Sequence, residues 1–201
     1  MPRPTTTETI PATGASGGAS DGAPATTAAA PDRPAWATTD ELMRNYYDEE
    51  WGVPVHDERG LFEALSLEVF QSGLSWSTVL RKREAFRAAF TNFNPDAVAA
   101  FTDADVARLI ADEGIIRNHR KVLATIQNAR ATVALRAEGG LAEFLWSFAP
   151  EPGSTATTDE PVSRTTESEA LAKALKARGF NFVGPTTMHA LMQAVGMVPV
   201  R

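Results

Sequence analysis

The segment 61–76 has the hydrophobic periodicity of a buried helix, with one carboxylate on its apolar surface. Wound as a helix, it places Leu61, Leu65 and Glu68 in one line, with Leu67 and Phe70 on the opposite side. A helix that is apolar nearly all round is typical of the centre of a domain. A carboxylate buried there is unfavourable unless it is paired, protonated or bound to a cation. Glu68 is therefore predicted to be either a member of a structural ion pair or a functional group.

Helical periodicity continues through the rest of the chain, without an alternating strand pattern or a repeat at solenoid spacing. Start signals are the capping-box pattern at Thr38, Ser75 before an apolar stripe, and Asn94 followed by Pro95. Gly114 is predicted to end a helix. The predicted helices, besides the central one, are one through 46–47, one at 76–90, one from 95, and those at 102–113, 118–136, 141–148, 166–178 and around 188–195. The pattern indicates an all-α protein.

The first 33 residues differ in composition from the remainder. They are mostly Thr, Ala, Pro, Gly and Ser, and Ile10 is the only large apolar residue after Met1. Such a segment cannot bury enough apolar surface to offset the entropy of ordering it. We therefore predict a disordered tail at 1–33 and a helical domain at 34–201. A Pro-, Gly- and Thr-rich stretch at 151–162 is predicted to be a mobile loop within that domain.

Composition narrows the class of protein only moderately. Hydrophobic residues make up 43% of the 201, enough for a sizeable core, and no apolar run has the length of a membrane span. The absence of cysteine excludes disulfides and thiolate metal sites. A net charge of −6 argues weakly against a nucleic-acid partner, because binding depends on local patches rather than on the total charge.

The junction at 112–121 joins two predicted helices through a tight turn at Gly114. Helix-hairpin-helix modules use such a turn to offer backbone N–H groups and a helix N-terminus to a phosphate. Arg117, Arg120 and Lys121 add positive charge there. A glycine turn with solvated basic residues is also common in proteins that do not bind DNA, so both interpretations stay open at this point.

Aromatic residues are concentrated near the central helix, and most tryptophans in a small helical domain simply fill the core. Trp76, however, lies eight residues after Glu68 and beyond Gly73, so the chain can return it to the same cavity. A flat ring beside a buried carboxylate suits a flat cationic ligand, held by stacking and a charge-assisted hydrogen bond. A nucleobase fits that description. The aromatic residues concerned are Trp36, Tyr46, Tyr47, Trp51, Phe70 and Trp76.

The sequence resembles the bacterial 3-methyladenine DNA glycosylase I family over nearly all of 33–197. The resemblance implies an all-α helix-hairpin-helix DNA glycosylase fold and a monofunctional base-excision enzyme. The motifs that carry it are YYDEEWGVP at 46–54, LEVFQSGLSW at 67–76, LRKRE at 80–84, GIIRN at 114–118, LWSF at 145–148, RGF at 178–180 and FVGPTT at 182–187.

The resemblance also implies roles for individual residues. Glu68 matches the catalytic pocket carboxylate that hydrogen-bonds the extruded 3-methyladenine, and Trp76 matches the aromatic residue that stacks on it. Trp36, Tyr46 and Phe70 are assigned to the remaining pocket walls. Gly73 and Leu74 match the wedge that fills the gap in the duplex. The DNA-backbone contacts are assigned to Gly114, Ile116, Arg117, Asn118 and Lys121.

Several positions depart from the family pattern. Members often carry zinc, held by two cysteines and two histidines, but Pro34 and Tyr47 stand at the first two ligand positions and the chain ends before the last two. We therefore predict no metal and no cofactor, with packing of Trp36 on Tyr47 in place of zinc. Met43 stands where tyrosine is frequent and Phe70 where glutamine is common, which leaves specificity open.

The chemistry of the lesion accounts for these residue types. Adenine methylated at N3 is cationic and leaves readily, so the site must bind a cationic base and stabilise positive charge on the sugar. Many related glycosylases position water with an aspartate after the hairpin, but no Asp lies between Asp112 and Asp159, which leaves Glu68 as the acidic candidate. We expect a monomeric cytoplasmic enzyme, in the bacterial nucleoid, that acts on double-stranded DNA with alkylated bases and does not bind membranes.

Two alternatives remain from the sequence. One is a catalytically inactive DNA-binding protein of the same fold. The other is a helical interaction protein in which Glu68 belongs to a buried ion pair.

Overall fold

The computed structural model describes residues 33–151 and 162–198, and within these ranges the secondary structure is helical without strands. Three 3-10 turns, Ala35–Thr38, Thr91–Phe93 and Arg136–Glu138, accompany the α-helices. The α-helices are α1 (Glu41–Glu49), α2 (Glu58–Gln71), α3 (Trp76–Arg81), α4 (Arg83–Ala89), α5 (Pro95–Ala99), α6 (Asp103–Ala111), α7 (His119–Leu135), α8 (Gly140–Trp146), α9 (Thr166–Ala177) and α10 (Pro185–Ala194). The predicted all-α class is confirmed.

Side-chain caps fix where several helices begin. Ser75 accepts a hydrogen bond from the Thr78 amide at the start of α3, and Asn94 accepts one from Ala97 at the start of α5. Both starts follow the predicted cap residues, because a short polar side chain satisfies an amide that the helix itself leaves unpaired.

Three predicted boundaries are wrong by a few residues. Asp40, not Thr38, caps α1 by accepting from the Met43 amide, because 35–38 form a 3-10 turn first. Thr165 caps α9 in a reciprocal pair with Ser168, one residue before Thr166, the cap that the capping-box pattern at 166–169 predicts. The helix predicted at 76–90 is interrupted at Lys82, whose backbone leaves the helical region (φ −99°, ψ 1°).

Helix α2 lies at the centre of the domain and packs against α3, α7, α8 and α10. Its side chains from Leu65 to Phe70 are all buried, as the periodicity predicts. A phenylalanine cluster fills the core on one side of it, formed by Phe62, Phe70, Phe86, Phe90 and Phe93. Burial of apolar surface on all sides of α2 keeps this helix in a fixed position, and α2 is the helix that carries Glu68.

The loop after α1 contacts the end of α10. The amide of Gly52 donates to the Ala194 carbonyl at 3.1 Å, and the amide of Val55 donates to Val195 at 3.2 Å. Arg33 binds the Asp48 carboxylate through two hydrogen bonds of 2.8 and 2.7 Å. The folded domain therefore includes Arg33, which we had placed at the end of the tail.

Two predictions fall on residues outside the described ranges. These are the disorder of the tail before Arg33 and most of the mobile loop at 151–162. No helix of the described residues is long and apolar enough to cross a membrane.

Candidate active site

Helix α2 contains two buried carboxylates with different surroundings. Glu63, 6% exposed, accepts hydrogen bonds from Arg59 at 2.9 Å and from Arg87 at 2.7 Å. Glu68 is 5% exposed, and its Oε2 has no hydrogen-bond partner among the residues that the structure describes. The structural ion pair that the sequence left as an alternative therefore exists on this helix, but it is made by Glu63.

Burial without an ion-pair partner changes the proton affinity of Glu68. Desolvation raises the pKa of its carboxyl to about 8, because the anion loses its hydration and gains little in return. Tyr46 lies close enough for their charges to interact: burial, followed by the charge of Glu68, raises the pKa of the Tyr46 hydroxyl. Ionisable groups whose pKa is shifted by burial are frequent at functional sites. A buried acid that is neutral in the free protein can lose its proton when it binds a cationic ligand.

Trp76 lies beside Tyr46 as the sequence predicts. The two ring centroids are 5.1 Å apart, with the planes at 45°. The indole Nε1 is buried and has no hydrogen-bond partner within the described residues. The chain returns to this position because α2 ends at Gln71, Gly73 adopts a positive φ of 79°, and Ser75 starts the next helix.

A cavity of about 240 Å³ opens next to these rings. Tyr46, Trp76, Ala64 and Leu67 supply part of its wall, whereas Glu68, the residue after Leu67, is buried and does not line it. Charged side chains also line it, among them Glu50, Asp57, Arg59, Glu63, Arg83 and Arg87. The cavity thus combines an aromatic wall with polar groups, which is the usual composition of a ligand site.

Trp36 packs on Tyr46 and does not line this cavity, as Glu68 does not, so its assignment to the base pocket stays a prediction. Its ring centroid lies 6.5 Å from that of Tyr46 and 5.5 Å from that of Tyr47, with an edge-to-face arrangement on Tyr47. Trp51 is 5.3 Å from Trp36 and stacks on Tyr47 at 5.2 Å. The predicted packing of Trp36 on Tyr47 is confirmed, and this cluster supports the tyrosine from behind.

The assignment of Phe70 to the base pocket is wrong. Phe70 is fully buried and packs on Phe86 at 4.5 Å and on Phe90 at 5.8 Å between ring centroids. Two residues along a helix turn the side chain by about 200°, so Phe70 faces away from Glu68. It is a core residue, and its aromatic character has no direct bearing on the pocket.

The predicted wedge residues lie at the surface next to the site. Leu74 is 42% exposed, an unusual position for leucine, and its amide donates to the Gln71 carbonyl at 2.7 Å. Gly73 and Leu74 thus form the outer rim of the turn that carries Trp76. Their role as a wedge stays a prediction.

The hairpin has the predicted form, with α6 and α7 joined by a turn at 112–118. The Gly114 amide donates to the Asp112 carboxylate at 2.8 Å, and a Cβ at Gly114 would meet the Ala85 side chain at 3.1 Å, so the position requires a small residue. Asn118 caps α7, and the Arg117 side chain is half exposed beyond it. Phosphate binding by Gly114, Ile116, Arg117 and Asn118 stays a prediction.

Lys121 does not belong to the exposed face of this hairpin, which corrects its assignment as a DNA-backbone contact. The residue is 6% exposed, and its Nζ donates to the carbonyls of Phe70 and Ser72, each at 2.7 Å. An ammonium group buried in this way has left solvent for two backbone acceptors, and burial lowers its pKa. The local charge pattern does not show that the Lys121 side chain points into the core.

Residues 36–200 match the methyladenine glycosylase family. The chain belongs to this family. It is 47% identical over 171 residues to DNA-3-methyladenine glycosylase 1 of Escherichia coli, covering 83% of this chain and 91% of the relative. It is 40% identical over 167 residues to DNA-3-methyladenine glycosylase of Haemophilus influenzae, covering 81% and 90%.

Solved structures agree with this membership. A crystal structure of 3-methyladenine DNA glycosylase I matches with a TM-score of 0.76 at 47% identity, covering 82% of this chain and 93% of that one. The Staphylococcus aureus enzyme, solved to explain 3-methyladenine recognition, matches with a TM-score of 0.73 at 33% identity, covering 81% and 89%. The methyladenine glycosylase fold predicted from the motifs is confirmed.

Sequence reasoning missed the arginine pair of Glu63 and the inward direction of Lys121. The ion pair of Glu63 could have been predicted, because Arg59 lies four residues before it, at the spacing of a helical ion pair. Within the described ranges, no three His, Asp or Glu side chains converge as a metal site requires. The absence of zinc is tested below by metal analysis.

Proposed function

We propose that this chain is a monofunctional DNA glycosylase that flips out and hydrolytically excises 3-methyladenine from alkylated DNA during base-excision repair. The observation that carries the proposal is the buried Glu68, whose Oε2 has no partner within the described residues and whose charge acts on Tyr46, the ring next to Trp76. The names of the relatives from two bacteria point to the same substrate.

Recognition follows from the state of Glu68. With its pKa near 8, the free carboxyl holds a proton at neutral pH. A cationic base brings its own charge, so it binds the carboxylate and the proton is released to solvent. Neutral adenine supplies no charge to compensate the buried anion and is rejected for that reason. Stacking on Trp76 favours any flat base, so the discrimination comes from Glu68.

Bond cleavage needs little acid catalysis. The electron pair of the C1′–N9 bond stays on N9 and neutralises the cationic purine, while water adds its oxygen to C1′ and its proton goes to solvent. Positive charge develops on the sugar as the bond breaks, and a fixed carboxylate stabilises such charge most strongly where water is excluded. Residues 65–70 of α2 are all buried, which supports a fixed position for Glu68 in this step.

Access to the base requires extrusion from the duplex, since a stacked base cannot reach a buried carboxylate. Leu74 supplies an exposed apolar side chain to fill the vacated position, and the hairpin with Arg117 binds the phosphates. In this proposal the protein acts as a monomer on double-stranded DNA. It does so in the bacterial cytoplasm, at the nucleoid.

The test is release of free 3-methyladenine from a methylated duplex, with abasic sites counted by alkaline cleavage. Unmethylated duplex is the matched control substrate, and we expect release from the methylated duplex alone. Binding to methylated duplex without base release would identify an inactive DNA-binding protein of this fold. Absence of any duplex binding would support an interaction protein instead.

A further inference from the structure

Lys121 connects the hairpin to the end of the helix that carries Glu68. It lies in the first turn of α7, where Asn118 accepts from its backbone amide at 3.2 Å. Its side chain crosses to α2 and donates to the Phe70 and Ser72 carbonyls. The last carbonyls of a helix carry partial negative charge and lack partners within the helix, so an ammonium group stabilises them well.

Lys82 makes a second connection of the same kind. It lies at the interruption between α3 and α4, and its Nζ donates to the carbonyls of Glu113 and Gly114, each at 3.0 Å. These carbonyls belong to the tight turn of the hairpin. Lys121 on α7 therefore binds the chain just before residue 73. Lys82, just after residue 81, binds the hairpin turn that precedes α7.

The stretch between them, residues 73–81, is the segment that we call the wedge segment. It contains Gly73, Leu74 and Trp76, and it begins directly after the Ser72 carbonyl that Lys121 binds. Gly73 has a left-handed backbone with no neighbouring atom within 4 Å of an added Cβ, so its own packing does little to fix the turn. Within the turn the Leu74 amide donates to the Gln71 carbonyl, and the two lysines add a restraint at each end of the segment that follows.

We propose that Lys121 and Lys82 are positioning residues that hold the wedge segment at a fixed distance from the DNA-binding hairpin. Phosphates bound by the hairpin then determine where Leu74 enters the duplex. This inference rests on the proposed glycosylase function. The lysines act through Leu74 and touch neither the base nor the sugar.

The variants Lys121→Met and Lys82→Met retain the apolar stem and remove the donors. Lys173→Met, on the exposed face of α9, is the matched control. Each protein is assayed in single turnover on two duplexes with one 3-methyladenine, opposite either an intact thymine or an abasic position. The abasic partner leaves the lesion already unpaired, so extrusion depends less on the wedge.

We expect both variants to slow excision opposite thymine on the order of tenfold to a hundredfold, because a displaced Leu74 no longer holds the paired lesion out of the stack. Opposite the abasic position the rate should stay within about twofold of the original, and binding to undamaged duplex should keep its salt dependence. Lys173→Met should match the unmodified protein throughout.

An equal loss of rate on both duplexes would assign the lysines a purely structural role and overturn the inference, as would no loss on either. If Lys121→Met does not fold, Lys82→Met, whose side chain is only half-buried, decides the question by the same ratio of rates. Failure of the unmodified protein to release 3-methyladenine from either duplex would instead reject the glycosylase function, so the two failures are distinguishable.

Discussion

Glu63 and Glu68 are both buried on helix α2. Within the described residues, Glu63 has two arginine partners and Glu68 Oε2 has none. The helix thus contains its own comparison between a structural carboxylate and a functional one. An ion pair compensates the burial of Glu63, whereas the charged form of Glu68 has no such compensation, and burial raises the pKa of its carboxyl instead. That difference makes the two positions a matched pair for mutagenesis.

Replacing Glu68 with Gln should slow excision of 3-methyladenine on the order of a hundredfold, the effect typical of a lost preorganised electrostatic group. The amide keeps the shape of the side chain but cannot carry the negative charge. Single-turnover release from a methylated duplex measures the effect. Glu63→Gln is the control: it should lower the melting temperature by removing the charge that pairs with both Arg59 and Arg87, while the folded fraction keeps its rate. A destabilised but fully active Glu68→Gln protein would contradict the assignment.

The stability of Glu68→Gln relative to the original protein should depend on pH in a defined direction. The carboxyl pKa is about 8 when folded against 4.5 for the unperturbed group, so the folded state holds the proton more tightly. Stability is therefore lost as pH rises from about 4.5 to about 8, by at most roughly 1.4 kcal/mol per pH unit. The advantage of the Gln variant should grow across that window and level off above it. Denaturant unfolding at pH 5, 7 and 9 measures it, and an advantage independent of pH would show that Glu68 has an unmeasured partner.

Truncation of the stacking residue should weaken base binding with little effect on the fold. Trp76→Ala should lower affinity for 3-methyladenine by roughly 1–3 kcal/mol, the usual value of one aromatic stacked on one base. Calorimetric titration with the free base measures it. Trp36→Phe, which retains an aromatic ring behind Tyr46, is the control and should bind the base nearly as well. Equal losses for both variants would indicate a collapsed pocket rather than lost stacking.

Arg117→Ala should weaken binding to all duplexes about equally and reduce the slope of log affinity against log salt by roughly one. Its side chain is half exposed and forms a long 3.6 Å ion pair with Glu113, so it is available for a phosphate. Fluorescence anisotropy over a salt series measures this. A change in base preference with an unaltered salt slope would exclude a backbone contact.

Purified protein should contain no stoichiometric zinc. The chain has no cysteine, and Tyr47, at one of the family's ligand positions, packs between Trp36 and Trp51. Elemental analysis and melting with and without a chelator measure this. Bound zinc, or a chelator-induced fall in melting temperature, would contradict the prediction.

Local pattern alone determined much of this protein. Helical periodicity identified α2 as central and Glu68 as a carboxylate on an apolar surface, since both follow from side-chain spacing along one helix. Caps at Ser75 and Asn94 were predictable because they act within a few residues of the chain. The aromatic pattern near the central helix singled out Tyr46 and Trp76, the resemblance assigned them to the base pocket, and the structure places their rings side by side.

Tertiary structure decided which faces of the helices meet. The same periodicity placed Phe70 opposite Glu68, but only the packing of Phe86 and Phe90 shows that this side is core. Likewise, only the crossing of α7 over the end of α2 turns Lys121 inward to two carbonyls, where charge pattern alone predicted an exposed cation. Such choices depend on contacts between segments far apart in the chain, and the free energy of burial and pairing is fixed by those contacts rather than by local spacing.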